Sequence, residues 1–131
     1  MRANLQEWYK CKIDKEEYKK LCKRSDWQGL KHIFIWIFFL ILSGYIAFLT
    51  WGTWWALSAF LVYGNIYMAC NPIWHECGHR TAFRSRWLNE LFYHIGSFMY
   101  NFEPIRWRWS HFHHHSYTLH TRGHYDYEIQ V

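Results

Sequence analysis

A chain of 131 residues is long enough for one domain. Its formal net charge of +5 suits nucleic acid or an anionic membrane surface, but the uncharged stretch from Ile33 to Trp74 indicates a membrane protein and excludes nucleic acid as a partner. The four cysteines show neither close pairs nor a zinc-finger spacing, which indicates reduced thiols.

The N-terminal segment, residues 1–31, is polar and basic. Its part from Asp14 to Arg24 contains no Gly or Pro and is rich in helix formers, so it predicts a helix capped by Asp14. The simpler interpretation is a solvated cytosolic helix, and the alternative is a helix that docks onto anionic lipid.

The uncharged stretch is about twice as long as a helix needs to be to cross a bilayer. It is interrupted at Trp51-Gly52-Thr53, which predicts a transmembrane hairpin over residues 33–74 with spans from Ile33 to Thr50 and from Trp54 to Cys70. Asn71-Pro72 is expected to end the second span, because proline disfavours helix at the residue before it. A buried soluble hairpin is the alternative, but the rest of the chain is not apolar enough to cover it.

Positive charge flanks both ends of the hairpin but is absent from the turn between its spans. It is dense before Ile33 and returns at Arg80, Arg84 and Arg86, whereas the turn between the spans carries none. The positive-inside rule therefore predicts that the N-terminus and the region from residue 75 to 131 both lie on the cytosolic side.

A first histidine cluster, His75-Glu76-Cys77-Gly78-His79, directly follows the second span. Residues four apart share one face of a helix, so His75 and His79 can bind the same metal region. Gly78 between them would allow close approach of another backbone. The same letters also fit the zincin signature H-E-x-x-H, with Glu76 as general base, or a solvated surface helix.

Two further helices are expected. The stretch from Asn89 to Tyr100 is apolar but too short to span, which predicts an interfacial or buried helix, and His94 within it is interpreted as structural. Pro104 suits the first turn of the next helix, with Glu103 at its positive end. Residues 106–109 (Arg-Trp-Arg-Trp) then predict an amphipathic, interfacial segment.

A second cluster, His111-Phe112-His113-His114-His115, lies on that helix. At about 100° per residue, His111, His114 and His115 share one broad face, whereas His113 lies roughly opposite. Neutral imidazole suits iron, as well as zinc and copper. The predicted metal ligands are His75, His79, His111, His114 and His115.

The two clusters together resemble a known family. HECGH, followed by WRWSHFHHHSYT, resembles the first two histidine boxes of the membrane fatty acid desaturase superfamily. The boxes of that family are two histidines with three or four residues between them, then H-x-x-H-H and again H-x-x-H-H. Box one after a hairpin and box two on a following helix are also similar to that family. The resemblance extends from about Ile33 to the end of the chain and includes residues 122–129, which are similar to a segment of bacterial members.

The resemblance implies an all-α integral membrane fold, with one transmembrane hairpin followed by interfacial or cytosolic helices that carry the histidine boxes. It implies two iron ions that activate O₂ to attack an unactivated C–H bond of an acyl chain. The substrate would be a membrane lipid or an acyl carrier, and electrons would come from a ferredoxin or a cytochrome b5-like protein.

The chain departs from that pattern in lacking a third box and a second transmembrane pair. We therefore expect residues 1–131 to be a single partial domain, an N-terminal fragment that is inactive or holds metal poorly by itself. Five histidines are fewer than the resemblance implies for two irons. Completion of the site within a homo-oligomer is an alternative.

Other functions remain open from the sequence. A di-iron hydroxylase of the same superfamily shares the metal chemistry, and a membrane zinc metalloprotease would use HECGH alone. A metal-binding or transport protein is disfavoured because transporters place polar ligands inside their spans.

Polar residues near the boxes could assist the histidines or contact a partner. Those that could orient the imidazoles through their second nitrogen are Glu76, Asn89, Glu90, Asp126 and Glu128. Those that could meet an electron donor or a headgroup are Arg106, Arg108 and Arg122.

Overall fold

The computed structural model describes residues 12–118, which form six helices and no strand. The predicted all-α class is therefore confirmed for this part of the chain. The similar segment at residues 122–129, with Arg122, Asp126 and Glu128, lies outside the described residues. The helices are α1 Lys15–Leu21, α2 Asp26–Leu49, α3 Trp55–Met68, α4 Cys70–Gly78, α5 Arg86–Tyr100 and α6 Pro104–Tyr117.

The first helix begins as the sequence predicts. The Asp14 carboxylate accepts hydrogen bonds from the backbone N–H groups of Glu16 and Glu17, at 3.0 and 2.9 Å. The second helix begins before the predicted span, at Asp26, because Ser25 acts as its N-cap. The first polar residues of α2 therefore precede its apolar part within one continuous helix.

The helix that ends at Leu49 is the one described helix long and apolar enough to cross a membrane, by its length and composition. Several of its largest apolar side chains, such as Phe34, Ile41 and Phe48, are exposed on the protein surface. Contiguous apolar exposure of this kind indicates a surface that another apolar phase covers. By contrast, α3 has 14 residues, or about 21 Å of helix, which is less than the bilayer core requires.

Helices α2 and α3 pack antiparallel. Near the start of α2, the indole N–H of Trp36 donates to the carbonyl of Ile66, at 2.9 Å. Near its end, the rings of Trp51 and Phe60 meet edge to face, with centroids 5.6 Å apart. The predicted interruption between the two helices is a turn in which Gly52 has φ of 82°.

The second apolar helix ends earlier than predicted. It stops at Met68, and Asn71 and Pro72 lie in the first turn of α4 rather than in a connecting loop. Proline has no N–H to donate to the carbonyl four residues back, which here belongs to Met68. In the first turn of a new helix that N–H is not needed, so the chain breaks at Ala69 and box one lies on a separate helix.

Helix α4 packs closely against helix α5. Trp74 of α4 is buried and donates its indole N–H to the Ser97 hydroxyl, at 2.6 Å. Beneath it, Gly96 allows the close approach, since a Cβ there would lie 2.6 Å from the Cβ of Trp74. The buried core around this contact consists of Ile33, Trp74, Cys77, Phe83, Leu88 and Tyr93.

Candidate metal centre

Helix α4 presents the two histidines of box one on one face. Their ring centroids are 4.6 Å apart, and His79 lies just past the last helical residue. A Cβ on Gly78 would be 3.1 Å from the side chains of both Trp107 and Tyr93. The close approach at Gly78 is therefore made by side chains of α5 and α6 rather than by another backbone, and it brings α6 next to α4.

Helix α6 is positioned at its start. As expected, the Glu103 carboxylate caps the helix by accepting backbone hydrogen bonds from Ile105 and Arg106, and Pro104 occupies its first turn. The Tyr93 hydroxyl donates to the carbonyl of Pro104. These contacts fix where α6 begins and therefore which of its faces turns toward α4.

Four imidazoles converge between α4 and α6: those of His75, His79, His111 and His115, with one ring nitrogen of each within 4.8 Å of all the others. Nε2 of His111 lies 3.1 Å from Nε2 of His79 and 3.0 Å from Nε2 of His115. Two nitrogens bound at right angles to one ion, each about 2.1 Å from it, would be separated by about 3.0 Å. The donor set therefore fits an imidazole-bound metal ion.

The structure brings four of the five predicted ligands into this cluster. The fifth, His114, lies outside it, with its ring centroid 5.6 Å from that of His111. The His113 ring packs against Tyr117, with centroids 4.6 Å apart. His94 is exposed on α5 and takes no part in the cluster.

The convergence follows from helical spacing in both boxes. His75 and His79 are four apart on α4, and His111 and His115 are four apart on α6, so each pair forms a short column on one face. The two columns face one another because α5 returns the chain to α4.

The surroundings of His79 favour its neutral, metal-binding form. Burial lowers the pKa of His79, and the neighbouring His75, His111 and His115 lower it further. A histidine must be neutral to donate its lone pair to a metal. His111 is the most enclosed of the four, and its ring stacks on the indole of Trp107, with centroids 4.3 Å apart and planes at 13°.

The polar residues expected to orient the imidazoles take different positions. One carboxylate oxygen of Glu76 lies 3.6 Å from Nδ1 of His75, and the other accepts a hydrogen bond from the Thr81 hydroxyl, at 2.7 Å. Asn89 is buried and instead bonds the backbone of Phe83 and Ser85, which clamps the loop between α4 and α5. Of these two candidates, Glu76 is the one that adjoins a histidine.

Glu90 contacts two arginines rather than a histidine. Its carboxylate accepts from Nε of Arg80 at 2.9 Å and from Nη1 of Arg108 at 2.9 Å. Burial would raise the pKa of Glu90, but the hydrogen bonds from Arg108 and Arg80 outweigh it and hold that pKa below its usual value. Arg108, which the sequence placed toward a headgroup or a donor protein, therefore forms part of an internal ion pair.

The sequence reasoning missed Trp107 as a neighbour of the site, because its pattern suggested only an interfacial segment. Trp107 packs on Trp74, with ring centroids 3.8 Å apart, as well as on His111. The signal that could have found it is its position four residues before His111, which places both on one helical face.

Comparison with known proteins points to one protein family. A family model described as fatty acid desaturase matches residues 50–130. Over 73 residues, the chain is 37% identical to the sn-1 oleoyl-lipid 12-desaturase of Anabaena variabilis. The matched part is 56% of this chain and 17% of that relative, so the chain spans well under two thirds of the curated protein that it matches. No solved structure gives a significant match.

Proposed function

The chain belongs to the fatty acid desaturase family. We propose that it is part of a membrane-bound, O₂-dependent oxidoreductase that introduces a double bond into an acyl chain. The observation that carries this proposal is the convergence of two histidine pairs from separate helices, with ring nitrogens within 4.8 Å of one another. Neither pair alone supplies more than two imidazoles. The proposed metal site would therefore need histidines from both boxes.

The proposed metal is iron, in a two-iron centre. His75, His79, His111 and His115 would hold it, with His114 beside them for the second ion and further ligands from outside the described residues or from a second copy of the chain. Bound iron would supply the activation of O₂ needed to attack an unactivated C–H bond. The burial of His111 under Trp107 limits access of water to that side of the cluster.

The proposed reaction is balanced by an external reductant. Two hydrogens leave adjacent carbons of the acyl chain, two electrons come from the donor protein in two one-electron transfers, and two protons come from solvent. These together reduce one O₂ to two waters. The donor would be a ferredoxin or a cytochrome b5-like protein, since none of the described side chains is itself a two-electron reductant. The acyl chain would belong to a membrane lipid or an acyl carrier, and the printed name of the cyanobacterial relative describes an oleoyl-lipid.

The proposed membrane arrangement follows the charge and the exposed apolar surface. The antiparallel pair α2 and α3 would form the transmembrane hairpin, with the exposed indoles of Trp51, Trp54 and Trp55 at the far interface. The N-terminus and the histidine boxes would lie on the cytosolic side, where the positive charge is concentrated. The short α3 would reach that side together with the beginning of α4.

Mass spectrometry of host lipids tests the activity. Expression of the chain together with the part that supplies the remaining metal ligands should yield acyl chains that have lost two hydrogens, and a His79→Ala variant expressed to the same level should not. A gain of one oxygen with no loss of hydrogen would instead support the hydroxylase of the same superfamily. Unchanged lipids, at an iron content equal to that of an active family member, would contradict both.

Replacing Glu76 with glutamine separates the desaturase proposal from a zinc metalloprotease. In a zincin that glutamate is the general base, so Glu76→Gln would abolish proteolysis. Here Glu76 only adjoins His75, and two histidines of α6 complete the cluster. We therefore expect Glu76→Gln to keep lipid product. Its metal affinity should fall by at most about 10-fold, the smallest loss typical when a residue that hydrogen-bonds to a metal ligand is replaced. Complete loss of proteolysis in Glu76→Gln, at full metal content, would instead favour the protease.

A further inference from the structure

The two halves of the candidate metal centre come from helices that share few direct polar contacts. Arg80 directly follows box one, which ends at His79, and box two begins three residues after Arg108. Both arginines donate to the same carboxylate, that of Glu90 on α5. The second oxygen–nitrogen contact to Arg108, at 3.3 Å, shows that this nitrogen faces both carboxylate oxygens.

From this arrangement we propose that Glu90 is a positioning residue, which sets the separation of the two histidine pairs by holding Arg80 and Arg108 on one carboxylate. This inference rests on the proposed metal centre and adds to it a residue that touches no ligand. Its action would pass through the chain on one side, from Arg80 to His79, and along one turn of α6 on the other.

The backbone of Arg80 supports the inference. Arg80 has φ of 60°, in the left-handed region, and it ends α4 with hydrogen bonds from its own N–H to Cys77 and from the N–H of Thr81 to Glu76. Glycine is usual at this position of such a helix end. An arginine accepts backbone strain there, and strain of this kind persists where the surroundings over-determine it.

Two contacts over-determine Arg80. Its side chain pairs with Glu90, and its carbonyl accepts a hydrogen bond from Nη1 of Arg24, at 2.6 Å. The second strained helix end, at Asn101, has φ of 57° but carries the residue type that commonly replaces glycine there. The unusual choice of arginine therefore coincides with the one strained helix end, among the described residues, that adjoins the histidine cluster.

Arg108 depends on the same carboxylate. Its Nε and Nη2 are buried without a hydrogen-bond partner among the described residues, and its guanidinium lies over the Tyr93 ring, 4.0 Å from the centroid. Glu90 is the one anion that it pairs with in this part of the chain. Removal of that charge would leave two cations facing each other, so α6 would shift away from α4.

Glu90→Gln tests the inference, with Co²⁺ titrated into the full chain in detergent and followed by its visible absorption. We expect wild type to bind Co²⁺ through the histidines, with binding lost in His79→Ala. Glu90→Gln should weaken binding by roughly 10- to 100-fold and alter the absorption bands. The matched control is Glu16→Gln, which removes the carboxylate of an exposed ion pair with Lys19 on α1, at 2.8 Å. It should leave both the Co²⁺ affinity and the Co²⁺ spectrum unchanged.

A second variant covers the case in which Glu90→Gln does not fold. Arg108→Lys keeps the positive charge but cannot both stack on Tyr93 and place its nitrogen between the carboxylate oxygens, so it should also weaken Co²⁺ binding. If either variant folds and binds Co²⁺ as tightly as wild type, the role proposed for Glu90 is overturned, whereas the proposed metal centre is not. Absence of Co²⁺ binding in wild type would overturn the proposed metal centre and this role with it.

Discussion

Replacing His111 with alanine should remove metal from the protein and abolish lipid product. His111 is the central member of the cluster, because its Nε2 is the one that lies 3.0–3.1 Å from two other histidines. Its loss also removes the surface on which Trp107 stacks. We expect Co²⁺ affinity to fall by more than the roughly 100-fold that the strongest outer-partner substitutions cost. Isothermal titration and iron content measure the effect.

Two neighbours on the same helix serve as controls. His113→Ala removes a ring that packs on Tyr117, so iron content should stay close to wild type. His114→Ala should lower the iron content, because His114 is proposed to serve the second ion. Iron loss in His113→Ala equal to that in His111→Ala would contradict the assignment of ligands by helical face.

Replacing Gly96 with alanine should destabilise the protein although it lies within a helix. Alanine is favoured over glycine in a helix interior by about 1 kcal/mol. Here, however, the new Cβ would lie 2.6 Å from the Cβ and 3.2 Å from the Cα of Trp74. No rotamer change moves those atoms, so α4 must shift, and such overpacking costs about 1–3 kcal/mol. We expect a lower melting temperature by tryptophan fluorescence, together with weaker Co²⁺ binding.

Gly64 offers the matched control. It also lies within a helix, α3, but a Cβ there would meet no atom within 4 Å. Gly64→Ala should therefore leave the melting temperature unchanged or raise it slightly, and leave metal binding unaffected. A Gly96→Ala variant as stable as Gly64→Ala would show that α4 and α5 are packed less closely than described.

Local features of the fold could be predicted from the sequence because they depend on nearby residues. The Asp14 cap, the turn at Gly52 and the start of α6 at Pro104 each follow from side chains within one turn. The start of α2 at Asp26 was harder to predict from the sequence, because the polar first turns of this helix resemble the loop before it. Asp26 is held there by a residue distant in sequence, accepting hydrogen bonds from the backbone and the hydroxyl of Ser85, at 2.7 and 2.6 Å.

The candidate site was predictable within each box and not between them. Spacing alone paired His75 with His79 on one helical face, and the same rule pairs His111 with His115. It could not tell that His114 stands apart, because the distinction depends on the angle at which α6 meets α4. That angle follows from contacts of Tyr93 and Gly78 across three helices, which no local pattern encodes.

Because the donors are divided between α4 and α6, a metal ion bound by all four histidines would couple metal binding to the docking of these two helices. An ion shared by His79 and His111 would close a loop of chain that contains all of α5. Any ligand that binds only the docked state stabilises it by mass action, by about 1.4 kcal/mol for each tenfold excess of free metal over the dissociation constant. The docking of α6 against α4 would then depend on the concentration of free metal.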